Sequence, residues 1–200
     1  MACRDQRIGS RVEQSIGGLM FSFVKWIVFL PLTTIMYIVG QFAAPILPAF
    51  ASDDGWLPNW LSWFQTPDNS LDGDRGHRKR WPRETPFWRY VRRVAWLQRN
   101  CCYGFDDSVI GIHTQPTDVL YEVGETDASD RKGISGTCWR TLYRDDRLIA
   151  WHLYHVYHYK VWSFKACVRL SLGWKLWNPQ TAKKQYTCYF HPAKCFRIGE

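Results

Sequence analysis

An uncharged apolar stretch dominates the N-terminal part of the chain, WIVFLPLTTIMYIVGQFAAPILPAF, residues 26–50. About 20 apolar residues in helical form cross a bilayer core, and Pro45 and Pro48 are expected to end such a helix. The pattern therefore predicts a membrane-spanning helix over Trp26–Ala44. The side chains expected to anchor it in lipid are Trp26, Ile27, Val28, Phe29, Leu30, Ile35, Tyr37 and Ile38.

The charges on either side of this stretch predict its orientation. Arg7, Arg11 and Lys25 precede it, whereas residues 51–70 contain no lysine or arginine. Basic residues tend to stay in the cytoplasm, so we expect a cytoplasmic N-terminus and a C-terminal domain on the opposite side. Two alternatives stay open: cleavage as a signal peptide at Ala49-Phe50-Ala51, and a buried or interfacial helix.

Large aromatic side chains follow directly, at near-helical spacing, in SDDGWLPNWLSWFQTPDNS, residues 52–70. Tryptophan is enriched where a membrane helix meets the lipid headgroups. The spacing therefore predicts an interfacial belt, and a lid over the core of the next domain is the alternative. The belt residues are Trp56, Trp60, Trp63 and Phe64.

Turn-forming residues dominate the next segment, TPDNSLDGDRGHRKRW, residues 66–81. Asp68, Asp72 and Asp74 have the spacing of the first ligands of a calcium loop, but Lys79 stands where that loop requires glutamate. We expect instead that Asp72 or Asp74 pairs with a nearby arginine.

A basic amphipathic helix is predicted over TPFWRYVRRVAWLQRN, residues 85–100, with Thr85 as its N-cap. Arg89, Arg92 and Arg93 lie on its polar face, and helices of this kind bind anionic membranes or phosphates. We therefore expect these three arginines to contact an anionic partner. A solvated face, or pairing with acidic neighbours, is the alternative.

Alternation of apolar and polar residues then predicts strands. Phe164–Leu172 alternates cleanly, with Lys165, Cys167, Arg169 and Ser171 on its polar face, and predicts a sheet with one buried face. Residues 124–133 are expected to form a flexible acidic loop. The predicted strands are Ser108–Thr114, Asp118–Val123, a hairpin of Ile134–Arg144 and Arg147–Tyr159 turning at Asp145-Asp146, Phe164–Leu172, and Gln185–Phe190.

The predicted fold class is α+β: an N-terminal transmembrane helix, one amphipathic helix and a mostly antiparallel sheet of five to six strands. By sequence character the chain divides into four parts. These are a polar tail (1–17), a hydrophobic membrane segment (18–51), an aromatic linker with an Asp/Arg-rich loop (52–84), and a basic aromatic α+β domain (85–200).

Composition excludes fewer functions than the pattern of hydrophobic and polar positions does. A formal net charge of +8 and 12 tryptophans suit an anionic lipid, an acidic protein or a nucleic acid as partner. All cysteines except Cys3 follow the apolar stretch. They suit disulfides in an oxidising compartment and buried thiols equally well.

Candidate chemistry is sparse. His152, His155 and His158 lie on a predicted strand, where the first and last are about 20 Å apart and cannot share a metal. No G-x-S-x-G, phosphate-loop or G-x-G-x-x-G motif occurs. We therefore expect no enzyme, no metal and no cofactor, and a nucleophilic Cys-His pair such as Cys188 with His191 is the enzymatic alternative.

Three strings carry a resemblance: WFQTPDNSLDGDRGHRKRW, WRYVRRVAWLQRNCCYGFD and LSLGWKLW, within residues 55–178. They resemble a family of uncharacterised proteins of tailed bacteriophages and prophages, whose members often begin with a hydrophobic segment. The resemblance implies viral origin and no particular mechanism.

Together these features predict a phage-encoded, single-pass protein of the host inner membrane with a periplasmic C-terminal domain. Its expected partners are the lipid bilayer and a protein at the envelope or in the virion. A virion structural or genome-ejection component, and a basic nucleic-acid-binding protein, are the alternatives.

Overall fold

The computed structural model describes residues 2–162, 164–177 and 181–195 of the chain, with side chains for 17–160, 162, 165–177 and 181–194. The fold is α+β, as predicted, with an N-terminal apolar helix and a mostly antiparallel five-stranded sheet. The chain forms two compact units. The sheet unit contains Met1–Val28 and Ile112–Glu200, and the helical unit contains Phe29–Gly111.

Helix α1 begins at Ala2 and ends at Ala43, so it contributes residues to both units. Its end precedes Pro45, in agreement with the predicted stop, and it continues through Pro31. The other helical elements lie in the helical unit. They are 3₁₀ turns at Leu47–Phe50 and Asn59–Phe64, and helices α2 (Arg75–Arg80), α3 (Pro86–Arg99) and α4 (Tyr103–Ser108).

Seven strands follow in the sheet unit. The five-stranded sheet has the antiparallel order β2-β3-β4-β5-β7, and β1 pairs with β6 as a separate ribbon. The strands are β1 (Ile112–His113), β2 (Val119–Gly124), β3 (Gly136–Arg144), β4 (Arg147–Val161), β5 (Phe164–Trp174), β6 (Lys183–Lys184) and β7 (Tyr186–Cys195).

The central hairpin of β3 and β4 is confirmed, including its turn. Asp145 and Asp146 both adopt positive φ, 49° and 62°, which is the backbone that a two-residue hairpin turn requires. The predicted strand Ser108–Thr114 is wrong apart from Ile112–His113. Helix α4 runs through Ser108 instead, because the hydroxyl of that serine and the N–H of Val109 bond to carbonyls of the preceding turn.

One face of the five-stranded sheet packs against the N-terminal half of α1. Trp151, Trp174 and Tyr186 are fully buried on this face. Trp26 packs on two of them, with ring centroids 5.4 Å from Trp151 and 6.1 Å from Tyr186. The Trp26 indole N–H donates to the carbonyl of Thr187 (3.1 Å), and the Tyr186 hydroxyl donates to the carbonyl of Trp26 (3.1 Å).

The opposite face of the sheet is covered as well, so the prediction of one buried face is wrong. Cys167 and Ser171, placed by alternation on the solvent side, are fully buried. Part of the cover comes from the predicted flexible acidic loop, in which Asp130 is buried and binds Arg169 (3.1 Å) and Lys194. These ion pairs hold the loop on the sheet, which alternation within a single strand does not reveal.

The helical unit has its own apolar core, to which the chain segment after α1 contributes. Gln65 fixes the loop around this core, because its amide accepts from the Leu57 N–H (2.8 Å) and donates to the Asn69 carbonyl (3.1 Å). The buried core residues are Ala44, Leu47, Leu57, Leu61, Leu71, Trp96 and Leu97. Since Ala44 and Leu47 belong to this core, the apolar N-terminal stretch is part of the folded unit.

We expect Trp26→Ala to destabilise the sheet unit by about 3–5 kcal/mol, the usual cost of truncating a buried tryptophan. The physical reason is the cavity left among Trp151 and Tyr186 and the loss of two buried hydrogen bonds. Thermal unfolding of the full chain in mild detergent measures the effect. The control is Val28→Ala, an exposed position on the same helix, and equal shifts in the two variants would contradict the packing.

Candidate membrane-facing and basic surfaces

Within the sheet unit, α1 has a covered side and an exposed apolar side. Gly18, Ser22 and Trp26 recur every four residues on the covered side, and a Cβ on Gly18 would lie 3.2 Å from the backbone of Leu148. The small residues therefore let the helix approach β4 closely. The exposed side carries no charge and consists of Leu19, Met20, Phe21, Phe23, Val24, Ile27 and Val28.

Trp26 is thus a correction to the predicted lipid anchors. Its side chain is only 8% exposed and belongs to the core of the sheet unit. Tryptophan buries a large ring wherever a partner surface is available, and here that partner is the sheet. Ile27 and Val28 remain exposed.

Within the helical unit, α1 again has one covered side. The thiol of Cys102 donates to the carbonyl of Met36 (3.1 Å), the thiol of Cys101 reaches the carbonyl of Tyr37 (3.5 Å), and a Cβ on Gly40 would collide with the Cys101 sulfur. Of the predicted anchors, Ile35, Tyr37 and Ile38 are exposed, whereas Phe29 and Leu30 are half-buried. Leu32, Val39 and Phe42 are exposed too.

The Gly17–Ala43 part of α1 is 27 residues long, with a mean hydropathy of 1.8 over its most apolar window. At 1.5 Å per residue it measures about 40 Å, so its length and composition are sufficient to cross a membrane. Only 11% of that window is buried, so most of the apolar surface of α1 lies outside both units.

The predicted aromatic belt follows α1 in the helical unit. Trp60 is 69% exposed and contacts Phe50, with ring centroids 6.0 Å apart. Trp56 and Trp63 are exposed, and Phe64 packs on the core cluster instead. Pro58 precedes the 3₁₀ turn that holds Trp60 and Trp63 at the surface.

The arginines predicted to bind an anionic partner bind an anion of this chain. One carboxylate, that of Asp72, contacts Arg89 (2.7 Å), Arg92 (3.2 Å) and Arg93 (3.0 Å). The side chains of Arg92 and Arg93 are only 3% and 10% exposed, and that of Arg89 is 39% exposed. The prediction of an external contact by Arg92 and Arg93 is therefore wrong, and the expected Asp–Arg pairing is confirmed.

The Asp72 cluster also joins three parts of the helical unit. Arg89 and Arg93 both donate to the carbonyl of Asp53 (2.6 and 3.0 Å), and Arg92 binds the carboxylate of Glu84 (2.7 Å). Burial would raise the pKa of Asp72, but the hydrogen bonds from the three arginines outweigh it and hold the pKa far below its usual value. Asp74, two positions after Asp72 in the same loop, caps α2 by accepting from the His77 N–H (2.7 Å).

Unlike Arg92 and Arg93, the arginines and the lysine just before α3 are exposed. Arg75, Arg78, Lys79, Arg80 and Arg83 are all exposed, and none of them forms an ion pair within the part of the chain that the structure describes. Sequence reasoning passed over this group, although the run RKRWPR, residues 78–83, signals it.

A small cleft opens beside this basic group. Its volume is about 230 Å³, and its walls are Arg80, Trp81, Pro82, Arg83 and Trp88. The guanidinium of Arg83 lies 4.7 Å from the centre of the Trp88 ring, and the rings of Trp81 and Trp88 are 6.4 Å apart with a 36° tilt. The cleft therefore combines two cationic side chains with two indoles.

Among the histidines and cysteines, His152 and Cys138 are buried in surroundings that disfavour their charged forms. His152 is fully buried, its Nε2 lies 3.1 Å from the Ser171 hydroxyl, and burial lowers its pKa to about 3. Cys138 is buried and its pKa is raised, the opposite of an activated nucleophile. The sulfurs of Cys101 and Cys102 are 3.4 Å apart, which is a contact between thiols and not a disulfide.

Comparison with known proteins gives one match. The model of DUF7338, a family of unknown function, matches residues 19–197. No curated protein and no solved structure matches the chain.

We expect Asp72→Asn to destabilise the helical unit by about 3–5 kcal/mol, because it leaves buried Arg93 without a carboxylate and buried Arg92 with only that of exposed Glu84. Urea unfolding of the full chain in mild detergent measures this loss. The matched control is Asp68→Asn, an exposed aspartate of the same loop, for which we expect a change below about 0.5 kcal/mol.

The stability difference between wild type and Asp72→Asn is also expected to depend on pH. Because the pKa of Asp72 is lower in the folded state than its unfolded value of about 3.9, its stabilisation is present above that value and is lost as the pH falls through the folded pKa. The stability difference between wild type and Asp72→Asn should therefore narrow below about pH 4. A difference that stays constant down to pH 2 would contradict an ionised Asp72.

Proposed function

Because the chain belongs to the family of unknown function DUF7338, we propose its role from its own surfaces: it is a membrane-attached interaction protein. Helix α1 holds the protein at a bilayer, and the sheet unit binds a protein partner there. The observation that carries the proposal is the apolar, mostly exposed surface of α1 over Gly17–Ala43, in which half-buried Lys25 is the one charged side chain.

The two covered sides of α1 favour a helix that lies in the membrane interface. Gly18, Ser22 and Trp26 pack on the sheet, and the backbone around Gly40 packs on Cys101 and Cys102. A spanning helix is surrounded by lipid or by other apolar helices, whereas each half of α1 offers lipid only the side that its unit leaves exposed. An interfacial helix buries one apolar side in the acyl layer and keeps the other towards protein or water.

A single-pass helix is the second candidate. The length of 27 residues and the mean hydropathy of 1.8 favour it. It requires that one of the two units releases its side of α1, with loss of the packing described above.

The resemblance to proteins of tailed phages suggests a biological setting for this role. In that setting the protein acts at the inner membrane of an infected or lysogenic host, by altering the envelope, blocking a second infection or assisting assembly. A virion or genome-ejection component is the alternative. Mass spectrometry of purified particles separates the two, because only a virion component is present in them in stoichiometric amounts.

We expect the double variant Ile35→Arg, Val39→Arg to lose most of its membrane association. Both side chains are exposed on α1, so the helical unit keeps its core, while each arginine costs about 2.5–3.5 kcal/mol in lipid. Flotation of carbonate-washed membranes measures the association. Thr117→Arg, at an exposed position of the sheet unit, is the control, and a double variant that floats like wild type would refute anchoring by α1.

The position of the two chain ends separates the interfacial from the spanning candidate. Reporters that are active in one compartment only are fused before Met1 and after Glu200 in the full chain. We expect both ends on the same side of the membrane, as an interfacial helix requires. Ends on opposite sides would establish the single-pass arrangement and exclude the interfacial one.

A further inference from the structure

The basic cleft of the helical unit differs from the Asp72 cluster in what its arginines face. Arg89, Arg92 and Arg93 share the carboxylate of Asp72. Arg80 and Arg83 line an open cleft, and no carboxylate among the described residues forms an ion pair with either of them. Their positive charge is therefore available to a ligand.

The Asp72 cluster, which binds the arginines of α3, also holds the cleft in place. Arg92 donates to the Trp81 carbonyl (3.4 Å) and binds the Glu84 carboxylate (2.7 Å), so it fixes the segment between them from both ends. The N–H of Trp81 closes α2 on the carbonyls of His77 and Arg78. Pro82 restricts the backbone between the two indoles further.

The shape of the cleft selects among anionic ligands. Carbon atoms in contact are about 3.5–4.0 Å apart, so a flat base held between two rings separates them by about 7 Å or more. The rings of Trp81 and Trp88 are 6.4 Å apart and tilted by 36°, so they do not hold a nucleobase in parallel stacking. Arg83 lies over the face of Trp88, 4.7 Å from the ring centre, and Arg80 lines the same cleft. Two guanidinium groups beside two indoles suit a phosphate group with an apolar remainder.

The position of the cleft within the helical unit points to the source of that phosphate. Trp88 lies on the first turns of α3, and Tyr90 on the same helix donates to the carbonyl of Pro45 (2.6 Å), directly after the end of α1. The cleft therefore belongs to the part of the unit that is tied to the end of the apolar helix. Basic clusters beside a membrane segment bind anionic lipid headgroups.

We propose that Arg80, Trp81, Arg83 and Trp88 form a binding site for the phosphate of an anionic phospholipid headgroup. The arginines bind the phosphate oxygens, and the indoles lie against the glycerol and the first part of the acyl chains. The inference rests on the proposed membrane attachment and adds to it a preference for lipid charge that α1 alone does not supply.

Flotation of the purified full chain with vesicles tests the site. One vesicle is phosphatidylcholine alone, and the other is phosphatidylcholine mixed with phosphatidylglycerol. The variant is Arg80→Gln, Arg83→Gln, and the matched control is Arg75→Gln, Lys79→Gln, which removes the same charge outside the cleft. Melting temperatures of all proteins are compared first, since all four side chains are exposed.

We expect phosphatidylglycerol to tighten the binding of the wild type and of the control. In the cleft variant this increment should be about 25-fold smaller, from about fivefold for each of two arginines, while binding to phosphatidylcholine alone stays unchanged. Trp88→Leu should lose part of the increment without any change of charge. Equal losses in the two double variants would overturn the site, because they would indicate a diffuse basic surface.

The remaining outcomes separate this site from the membrane proposal. No binding to either vesicle by the wild type would refute membrane attachment itself, and with it the site. Binding to phosphatidylcholine without any increment would refute the site alone. Competition by inorganic phosphate, or by a single-stranded oligonucleotide at low salt, that abolishes the increment would assign the cleft to a free phosphate or a nucleic acid and overturn the lipid assignment.

Discussion

The N-terminal apolar stretch supplies part of the core of each of the two units. This constraint determines which side chains of α1 are buried and which are exposed. Trp26 is buried among the aromatic residues of the sheet unit, and Ala44 and Leu47, just after the helix, are buried in the core of the helical unit. Glycines stand where the helix is approached closely, at Gly18 by the backbone of Leu148 and at Gly40 by the thiols of Cys101 and Cys102. Neither unit therefore has a complete core without the apolar stretch.

A second constraint is the single carboxylate, that of Asp72, which forms ion pairs with three arginines. Desolvated arginines are costly unless they are paired, and Asp72 supplies the pair for Arg92 and Arg93 while the carbonyl of Asp53 accepts from Arg93 as well. The consequence is a division of the basic residues into two classes. Those of α3 stabilise the fold, and those of Arg75–Arg83 are left at the surface.

The parts of the fold that depend on local pattern could be predicted from the sequence. The hairpin of β3 and β4, its Asp145-Asp146 turn, helix α3 and the end of α1 before Pro45 all follow from alternation, helical periodicity and turn chemistry. The loop that covers the second face of the sheet could not be predicted from local pattern, because Asp130 binds Arg169, 39 positions away in the chain. Alternation within β5 carries no information about such a distant partner.

At the candidate site, too, local pattern predicts the position of the arginines but not their partner. Helical periodicity correctly placed Arg89, Arg92 and Arg93 on one face, but it cannot tell whether the anion that this face binds is external or internal. Asp72 is separated from them by 17 to 21 positions and lies in a loop. The cleft was missed for the reverse reason, since Trp81 and Trp88 meet only because Arg92 folds the intervening segment back.

Cleavage after Ala51 is hard to reconcile with these cores. It would remove Trp26 from one unit and Ala44 and Leu47 from the other, together with the apolar contacts that bury Trp151 and Leu71. Their loss would lower the free energy of unfolding of each unit by several kcal/mol, which is comparable to the whole stability of a typical domain. The apolar stretch is therefore a structural element of the fold described above.

Under the proposed membrane attachment, the sidedness of the protein would follow from how α1 meets the bilayer. The charge rule that predicted a periplasmic C-terminal domain applies to a helix that crosses. If α1 lies in the interface as proposed, that rule does not apply, and anionic lipid would instead attract the surface that carries Arg80 and Arg83.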